Sequence, residues 1–277
     1  MAVALFVIRK GRSADMNTPL FDVVLVLYNR PLACAEALPT LLQDECLNRI
    51  IVCDNSSSEE IAYGNSIEAS SIPSITYVGM GGNKGLSKAY NRALDLLESD
   101  YVCMLDHDTK VPPRYLTRIS RWTTRRGDVF VPIVRCGDRI ISPCNKGRFR
   151  FKQVEALDRL REGFSAINSG MVVRSSVFDR YRYDEELFLD MVDHRFMDDM
   201  RARSARVVVM DDLALEQDFS RNAHALESEQ ARYLTFKSDS RRFYSEGLDK
   251  KVFCELRLLY RKISLSIKYR TIACLFL

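Results

Sequence analysis

The sequence is poor in the signatures that mark the most easily read protein classes. None of its 8 cysteines stands in a C-x-x-C pair, so no paired-cysteine zinc or redox motif is encoded. Cys34, Cys46, Cys53, Cys103, Cys136, Cys144, Cys254 and Cys274 fall largely in apolar runs and read as reduced thiols of a cytosolic protein. No apolar stretch reaches the roughly 18 to 20 residues needed to span a bilayer. Glycine and proline are scarce, 12 and 8 among 277 residues, which excludes a collagenous chain. Hydrophobic residues make up 47%, too many for a disordered polymer. Net charge is only +4, too mild for a dedicated nucleic-acid binder, and no nucleic-acid partner is expected. Internal repeats and low-complexity tracts are missing as well.

What is present alternates. Val23 to Tyr28, Arg49 to Cys53, Ile75 to Val78 and Tyr101 to Leu105 read as strands buried on both faces, with helical segments between them. One such segment follows the first strand, and Pro39 is expected to bend or end it. A Gly-rich loop from Gly79 to Gly85 opens a helix running to about Glu98. This order predicts an α/β, doubly wound, mostly parallel sheet with ligands at the C-terminal strand ends. Further on, Val129 to Val134 and Ile140 to Ser142 read as strands joined at Gly137-Asp138. Ala166 to Val173 is an apolar run interrupted by Asn168-Ser169-Gly170, Asp190 to Ala202 reads as a helix, and Val207 to Met210 as a short strand. From about Ala225 the pattern is helical. The chain thus divides into an N-terminal extension (1–18), a catalytic domain (19–222) and a helical, basic C-terminal region (223–277). Charges Arg9, Lys10 and Arg12 follow the opening apolar run, the reverse of a signal peptide, and Met16 is a candidate translational start.

Several residues carry candidate chemistry, each beside a plainer alternative. Asp106 and Asp108 directly follow the fourth strand. Paired with substrate phosphates they suit Mg²⁺ or Mn²⁺, or they form a solvated turn. Asp54 ends the second strand, where a carboxylate meets a ribose or base, or caps the turn. Asn83, Lys84 and Gly85 open a helix whose free N–H groups suit a phosphate, or simply start it. They form neither a P-loop nor a dinucleotide fingerprint. Asp190 and Asp193 share a helix face and repel each other unless a cation intervenes. His194 is a ligand, a base or a satisfied structural residue. Without a G-x-S-x-G motif, acyl hydrolysis has no support.

In order, Val24-Leu25-Val26-Leu27-Tyr28-Asn29, Val52-Cys53-Asp54-Asn55-Ser56, Asn83-x-Gly85-x-x-x-Ala89-x-Asn91, Asp106-x-Asp108 and Asn168-Ser169-Gly170 resemble family 2 glycosyltransferases of the GT-A fold. Phe188-Leu189-Asp190-x-Val192-Asp193-His194 resembles the bacterial rhamnosyltransferase branch. The resemblance covers about residues 22–220. It implies that Tyr28, Asn29 and Asp54 meet the nucleotide, with Asn83, Lys84, Gly85 and Asp106 completing the donor site. A divalent cation (Mg²⁺ or Mn²⁺) would sit on Asp106 and Asp108, and Asp193 would be the general base of an inverting transfer. The chain departs from the family at Arg195, where an acid is common, and at Arg92. It departs again at Leu215-Glu216-Gln217-Asp218, where a metal-binding His is common. Gln217 and Asp218 are the candidates to replace that His. The implied donor is dTDP-L-rhamnose, with a UDP-hexose or UDP-galactofuranose as the alternative. A catalytically silent scaffold of the same fold is the reading from another class. Tyr28-Asn29-Arg30-Pro31 is not the Gly-rich loop of a nucleotidyltransferase.

Charge is unevenly placed. From Arg221 onward there are 12 Lys/Arg against 6 Asp/Glu. Phe253, Leu256, Leu259, Tyr260, Ile263 and Ile267 are expected on one helical side, flanked by Arg257, Arg261, Lys262, Lys268 and Arg270. That pattern suits an anionic membrane surface, or a helix packed on its own domain or on a homodimer partner. With the resemblance it implies a lipid-linked saccharide acceptor, and a peripheral enzyme of polysaccharide (O-antigen type) synthesis at the cytoplasmic face of a bacterial plasma membrane.

Overall fold

A computed structural model of the chain describes residues 18–217 and 226–277; residues 1–17, Met16 among them, and Asp218 lie outside the described residues. Strand β1 (Phe21–Leu27) is the run FDVVLVL, buried along nearly its whole length because it becomes a central strand. A short helix α1 (Leu38–Leu41) follows, and Pro39 stands in its first turn. The expected bend is therefore a helix start, where the missing N–H of proline has no partner to lose. Next come β2 (Leu47–Asp54), α2 (Glu59–Ser70), β3 (Ile75–Gly79), α3 (Leu86–Leu94) and β4 (Tyr101–Asp106). Helix α3 stops at Leu94, earlier than its pattern suggests. The second half holds β5 (Thr109–Lys110), α4 (Tyr115–Thr123), β6 (Val129–Cys136), β7 (Arg139–Ser142), β8 (Cys144–Lys146), β9 (Phe151–Gln153) and β10 (Val172–Arg174). Helix α5 (Val192–Ala202), strand β11 (Val207–Gln217), and helices α6 (Leu226–Phe243) and α7 (Leu248–Tyr269) complete it.

The main sheet runs β3-β2-β1-β4-β10-β6-β11-β5, with β7 on the flank of β6. Strands β1 to β4 are mutually parallel, and β6 and β11 pair in parallel. Between these groups β10 runs antiparallel to both β4 and β6. The expected α/β layout holds, and the strand order reverses between β1 and β4, where a doubly wound sheet opens its ligand crevice. The antiparallel strand matters for that crevice. Because β10 runs the other way, its N-terminal approach, Asn168 to Gly170, arrives beside the C-terminal end of β4. The Gly170 N–H donates to the Met104 carbonyl at 2.7 Å.

Helices α6 and α7 join the main core. Tyr233, Phe236, Phe243, Cys254, Leu258 and Leu265 belong to the same buried cluster as Val24, Ile51 and Met104. The helical tail breaks once, at Gly247, whose φ of 86° suits a residue without a side chain.

Gly170, in the turn before β10, is the most crowded of the described glycines. Its φ is +74°, and a Cβ there would meet Leu215 Cδ1 at 2.1 Å and the Tyr115 hydroxyl oxygen at 2.7 Å. That hydroxyl donates to the Gly170 carbonyl. Gly170→Ala is therefore expected to cost about 3 kcal/mol through overpacking and a left-handed backbone. A drop in the urea midpoint at unchanged m-value checks it; an unshifted midpoint would refute the crowding.

Candidate active site

The C-terminal ends of β1, β2, β4 and β11 carry the residues singled out by sequence. Tyr28 follows β1 and is 48% exposed, free to face a ligand. Asn29, at φ 48°, turns its side-chain oxygen to the N–H groups of Ser57 and Ser58 at 2.9 and 3.1 Å. In this structure it ties the β1 loop to the β2 loop. Asp54 is only 2% exposed. Its carboxylate accepts from the Ser56 N–H at 2.8 Å, the Asn65 amide at 2.8 Å and the Tyr77 hydroxyl at 3.0 Å. The carboxylate expected to meet the base is thus turned inward and buttresses the loop that would face it. Burial, with the charge of Asp54, pushes the Tyr77 hydroxyl well above its ordinary range.

The loop before α3 is built by a residue that the sequence reading gave no role. Asn55 donates to the Gly85 carbonyl at 3.1 Å and accepts the Lys84 N–H at 3.2 Å. Asn83 caps the Gly85 N–H at 3.2 Å, and Asn83 and Lys84 stay exposed. Gly85 has φ +90°, and a Cβ would meet the Phe188 ring at 2.8 Å.

Strand β4 delivers Asp106, which accepts a hydrogen bond from the Ser169 hydroxyl brought in by β10. Burial raises the Asp106 pKa; Ser169 opposes that rise and the charge of Asp108 adds to it. Asp108 accepts from the Gln217 amide at 3.0 Å, while Gln217 Oε1 is buried with no hydrogen-bond partner among the described residues. Two carboxylates beside an orphaned amide oxygen fit a hard divalent cation that takes further oxygens from a diphosphate. Among the described residues no group of three His, Cys, Asp or Glu side chains gathers for a metal.

Asp193 lies in the first turn of α5. Its Oδ1 is buried without a partner among the described residues. Burial first, and then the charge of Asp106, lift its pKa to about 7, with Asp190 adding to the rise and an Asn168 backbone hydrogen bond opposing it. Its neighbours differ. Asp190 is engaged by the Arg232 guanidinium, with one arm at 2.7 Å, so the cation that two facing aspartates require comes from α6. His194 stacks on Phe151, ring centroids 3.6 Å apart and planes within 9°, and its Nδ1 meets the Ser165 hydroxyl at 2.8 Å. Burial lowers its pKa to about 4, so it is neutral near pH 7 and packed as a structural ring. Arg195 turns to α6, over the Phe243 ring. The side-chain polar atoms of Asn168 are buried beside the hydroxyls of Tyr90 and Tyr183, and Asn168 holds back the rise that burial gives both tyrosines' pKa. Asp106 and Asp193 both raise the Tyr90 pKa, after burial. Tyr90 comes from α3 and Tyr183 from the irregular segment before α5, and neither has a role in the sequence reading.

Residues 22–182 match glycosyl transferase family 2. An uncharacterised glycosyltransferase of Methanocaldococcus jannaschii, MJ1057, is 20% identical over 181 residues, 62% of either chain. The match thus spans under two thirds of that relative's length. The mannosyltransferase PcManGT of Pyrobaculum calidifontis, solved with GDP-Man and Mn²⁺, superposes with a TM-score of 0.63 at 15% identity, over 90% of this chain and 73% of that one. Residues 1–349 of S. aureus TarS, solved with UDP, give 0.53 at 17% identity, over 87% and 70%. The fold is GT-A.

A carboxylate with a raised pKa in the folded state contributes stability below its unfolded value that is lost as pH climbs through the folded one. For Asp193 that window runs from its ordinary 3.8 to about 7. Asp193→Asn is therefore expected to leave Tm unchanged near pH 4. By pH 8 it should raise Tm by about 5 °C, taking about 2 kcal/mol after discounting for partial solvent contact. Scanning calorimetry across that range checks it, and a pH-independent difference would refute the shift.

Proposed function

The chain belongs to glycosyl transferase family 2, and from that premise we propose that it transfers a sugar from a nucleoside diphosphate to an acceptor hydroxyl with inversion at the anomeric carbon. The observation that carries this reading is Asp193, whose Oδ1 is buried with no hydrogen-bond partner among the described residues and whose pKa burial and the charge of Asp106 raise to about 7. A general base works best when its pKa lies near the working pH. Asp193 takes the acceptor hydroxyl proton as that oxygen attacks the anomeric carbon. The bond to the diphosphate breaks on the opposite face, and its electron pair leaves with the phosphate oxygen. One displacement suffices, so no covalent sugar–enzyme intermediate forms. A divalent cation, Mg²⁺ or Mn²⁺, held by Asp106 and Asp108 with the Gln217 amide beside them, would supply neutralisation of charge on the departing diphosphate. Tyr28 offers its exposed ring to the base, and Lys84 stands exposed at the start of α3 for the phosphates.

The proposed donor is dTDP-L-rhamnose and the proposed acceptor a lipid-linked saccharide reached at the cytoplasmic face of a bacterial membrane. Helix α7 supports the second part. Leu248, Val252, Leu256, Leu259, Tyr260, Ile263 and Ile267 recur at helical spacing and are all at least 43% exposed, while Cys254, Leu258 and Leu265 bury the opposite face. Among the described residues no helix is long and apolar enough to cross a membrane, so this face would lie on one. The grouping differs from the sequence expectation in two ways. Phe253 turns inward and stacks on Phe149, and Arg257 and Arg261 lie over the Phe236 ring; of the other basic residues Lys262 donates to the Leu275 carbonyl, Lys268 pairs with Glu229 at 3.2 Å and Arg270 stays exposed.

Asp193→Asn should lower transfer by about a thousandfold, with nucleotide affinity near normal, because the base acts only as charge develops. Thermal-shift titration with dTDP, UDP and GDP, with and without Mn²⁺, reads the donor class through mass-action stabilisation. A dTDP-selective shift is expected, a UDP-selective one would move the donor to a UDP-sugar, and no shift would favour a silent scaffold. Replacing Leu256, Leu259, Ile263 and Ile267 by Ser should abolish cosedimentation with phosphatidylglycerol vesicles. These residues are exposed, so the fold stays. Undiminished sedimentation, or a dimer dissolved by the same changes, would overturn the membrane reading.

A further inference from the structure

Helix α6 reaches into the active site from outside the sheet. Asp239 is fully buried, and its carboxylate accepts three consecutive backbone N–H groups: Phe188 at 2.8 Å, Leu189 at 2.8 Å and Asp190 at 2.7 Å. Two turns earlier on α6, Arg232 closes on both oxygens of Asp190. The segment so gripped runs directly into Met191, which holds φ 64° and ψ 0° at the start of α5. A left-handed methionine is unfavourable and persists only where its surroundings fix it. Two residues further on is Asp193. On its other side the segment meets the donor loop, since the Phe188 carbonyl accepts the Leu86 N–H at 2.6 Å. That loop has its own anchor in Asn55, whose two bonds to Lys84 and Gly85 do not involve α6.

We propose that Asp239 and Arg232 are positioning residues for sugar transfer, gripping residues 188–190 so that α5 begins where Asp193 meets the acceptor hydroxyl. Neither touches the reacting atoms. The proposal rests on the reading of Asp193 as general base. It gives α6 a task beyond packing. The helix sets where the base stands, and the loop, anchored by Asn55 and joined to the gripped segment only at its edge, sets where the donor stands.

The test compares full-length wild type with Asp239→Asn and Arg232→Gln. dTDP-L-rhamnose is the donor, and an organic extract of bacterial membranes supplies the acceptor. An asparagine at 239 sets an N–H₂ group against a row of N–H donors, and a glutamine at 232 removes the charged fork while leaving a residue that solvent reaches. Both variants should bind dTDP within about threefold of wild type yet lose about a hundredfold in kcat, as expected when a catalytic group is displaced by about 1 Å. Arg232→Lys, which keeps the charge without the fork, should fall between. Wild-type kcat in a folded variant would overturn the proposal alone, and so would parallel losses in dTDP affinity and kcat. If Asp239→Asn fails to fold by circular dichroism, Arg232→Gln decides the matter by itself. Wild type that binds dTDP and transfers nothing would overturn both the reading and the proposal.

Discussion

Two carboxylates facing one another in a space short of water set the terms for the rest of this molecule. Asp106 comes from the end of β4 and Asp193 from the first turn of α5; burial raises the proton affinity of both, and the charge of Asp106 lifts that of Asp193 further. Water would relieve such a pair at once, so the fold has to hold it against that tendency. Ser169 hydrogen-bonds Asp106, the start of α5 offers its favourable dipole end to Asp193, and Arg232 takes up the charge of Asp190. Each comes from a different part of the chain: the approach to β10, the first turn of α5, and α6. The antiparallel course of β10 is what lets the first of them reach the site.

The same arrangement explains why the C-terminal helices cannot be treated as an attachment. Helix α6 inserts Tyr233 and Phe236 into the main core and carries both Arg232 and Asp239. Helix α7 buries Cys254, Leu258 and Leu265 against that core while leaving a second apolar face outside. Removing α7 would open the core, so surface substitutions and not truncation separate its two duties. A helix apolar on two sides is costly in water unless the outer side is covered, and its length and basic border suit a membrane surface.

Much of the parallel half was legible because its strands are continuous runs of β-branched and aliphatic residues, a pattern that only burial on both faces explains. The strand ends then placed Tyr28, Asp54 and Asp106 on one edge. Helix α2 is faint in the sequence, since EEIAYGNSIEAS presents no apolar stripe and buries only Asn65 and Ala69. The apolar run from Ala166 to Val173 is interrupted at Asn168-Ser169-Gly170, and left-handed Gly170 confines pairing to Val172–Arg174. Likewise β11 runs seven residues past Met210, through a register shift that hides its alternation. At the site, contacts such as Asn55 to Gly85 or Asp239 to Leu189 join residues far apart in sequence, and single polar residues announce no partner. Asp190 and Asp193 did show that a cation was needed, but not that it would be Arg232.

Aspartate serves this fold in two opposite ways, and the contrast separates structure from chemistry. Asp22 is fully buried and accepts the Glu98 N–H at 2.6 Å, the Ser99 N–H at 3.0 Å and the Asn48 amide at 2.8 Å. Asp44 accepts the Leu116 N–H at 2.8 Å and the Thr117 hydroxyl at 2.7 Å at the head of α4. Asp54 and Asp239 are satisfied in the same manner, by three donors apiece. A carboxylate so surrounded has little left to offer a substrate, and it ties distant backbone segments together. Asp193 has the same side chain and keeps a buried oxygen with no donor among the described residues. An unsatisfied buried acceptor costs about 1–3 kcal/mol, more when charged, and persists where a reaction uses it. Under the proposed function, the donor that this oxygen lacks in the resting protein is the acceptor hydroxyl.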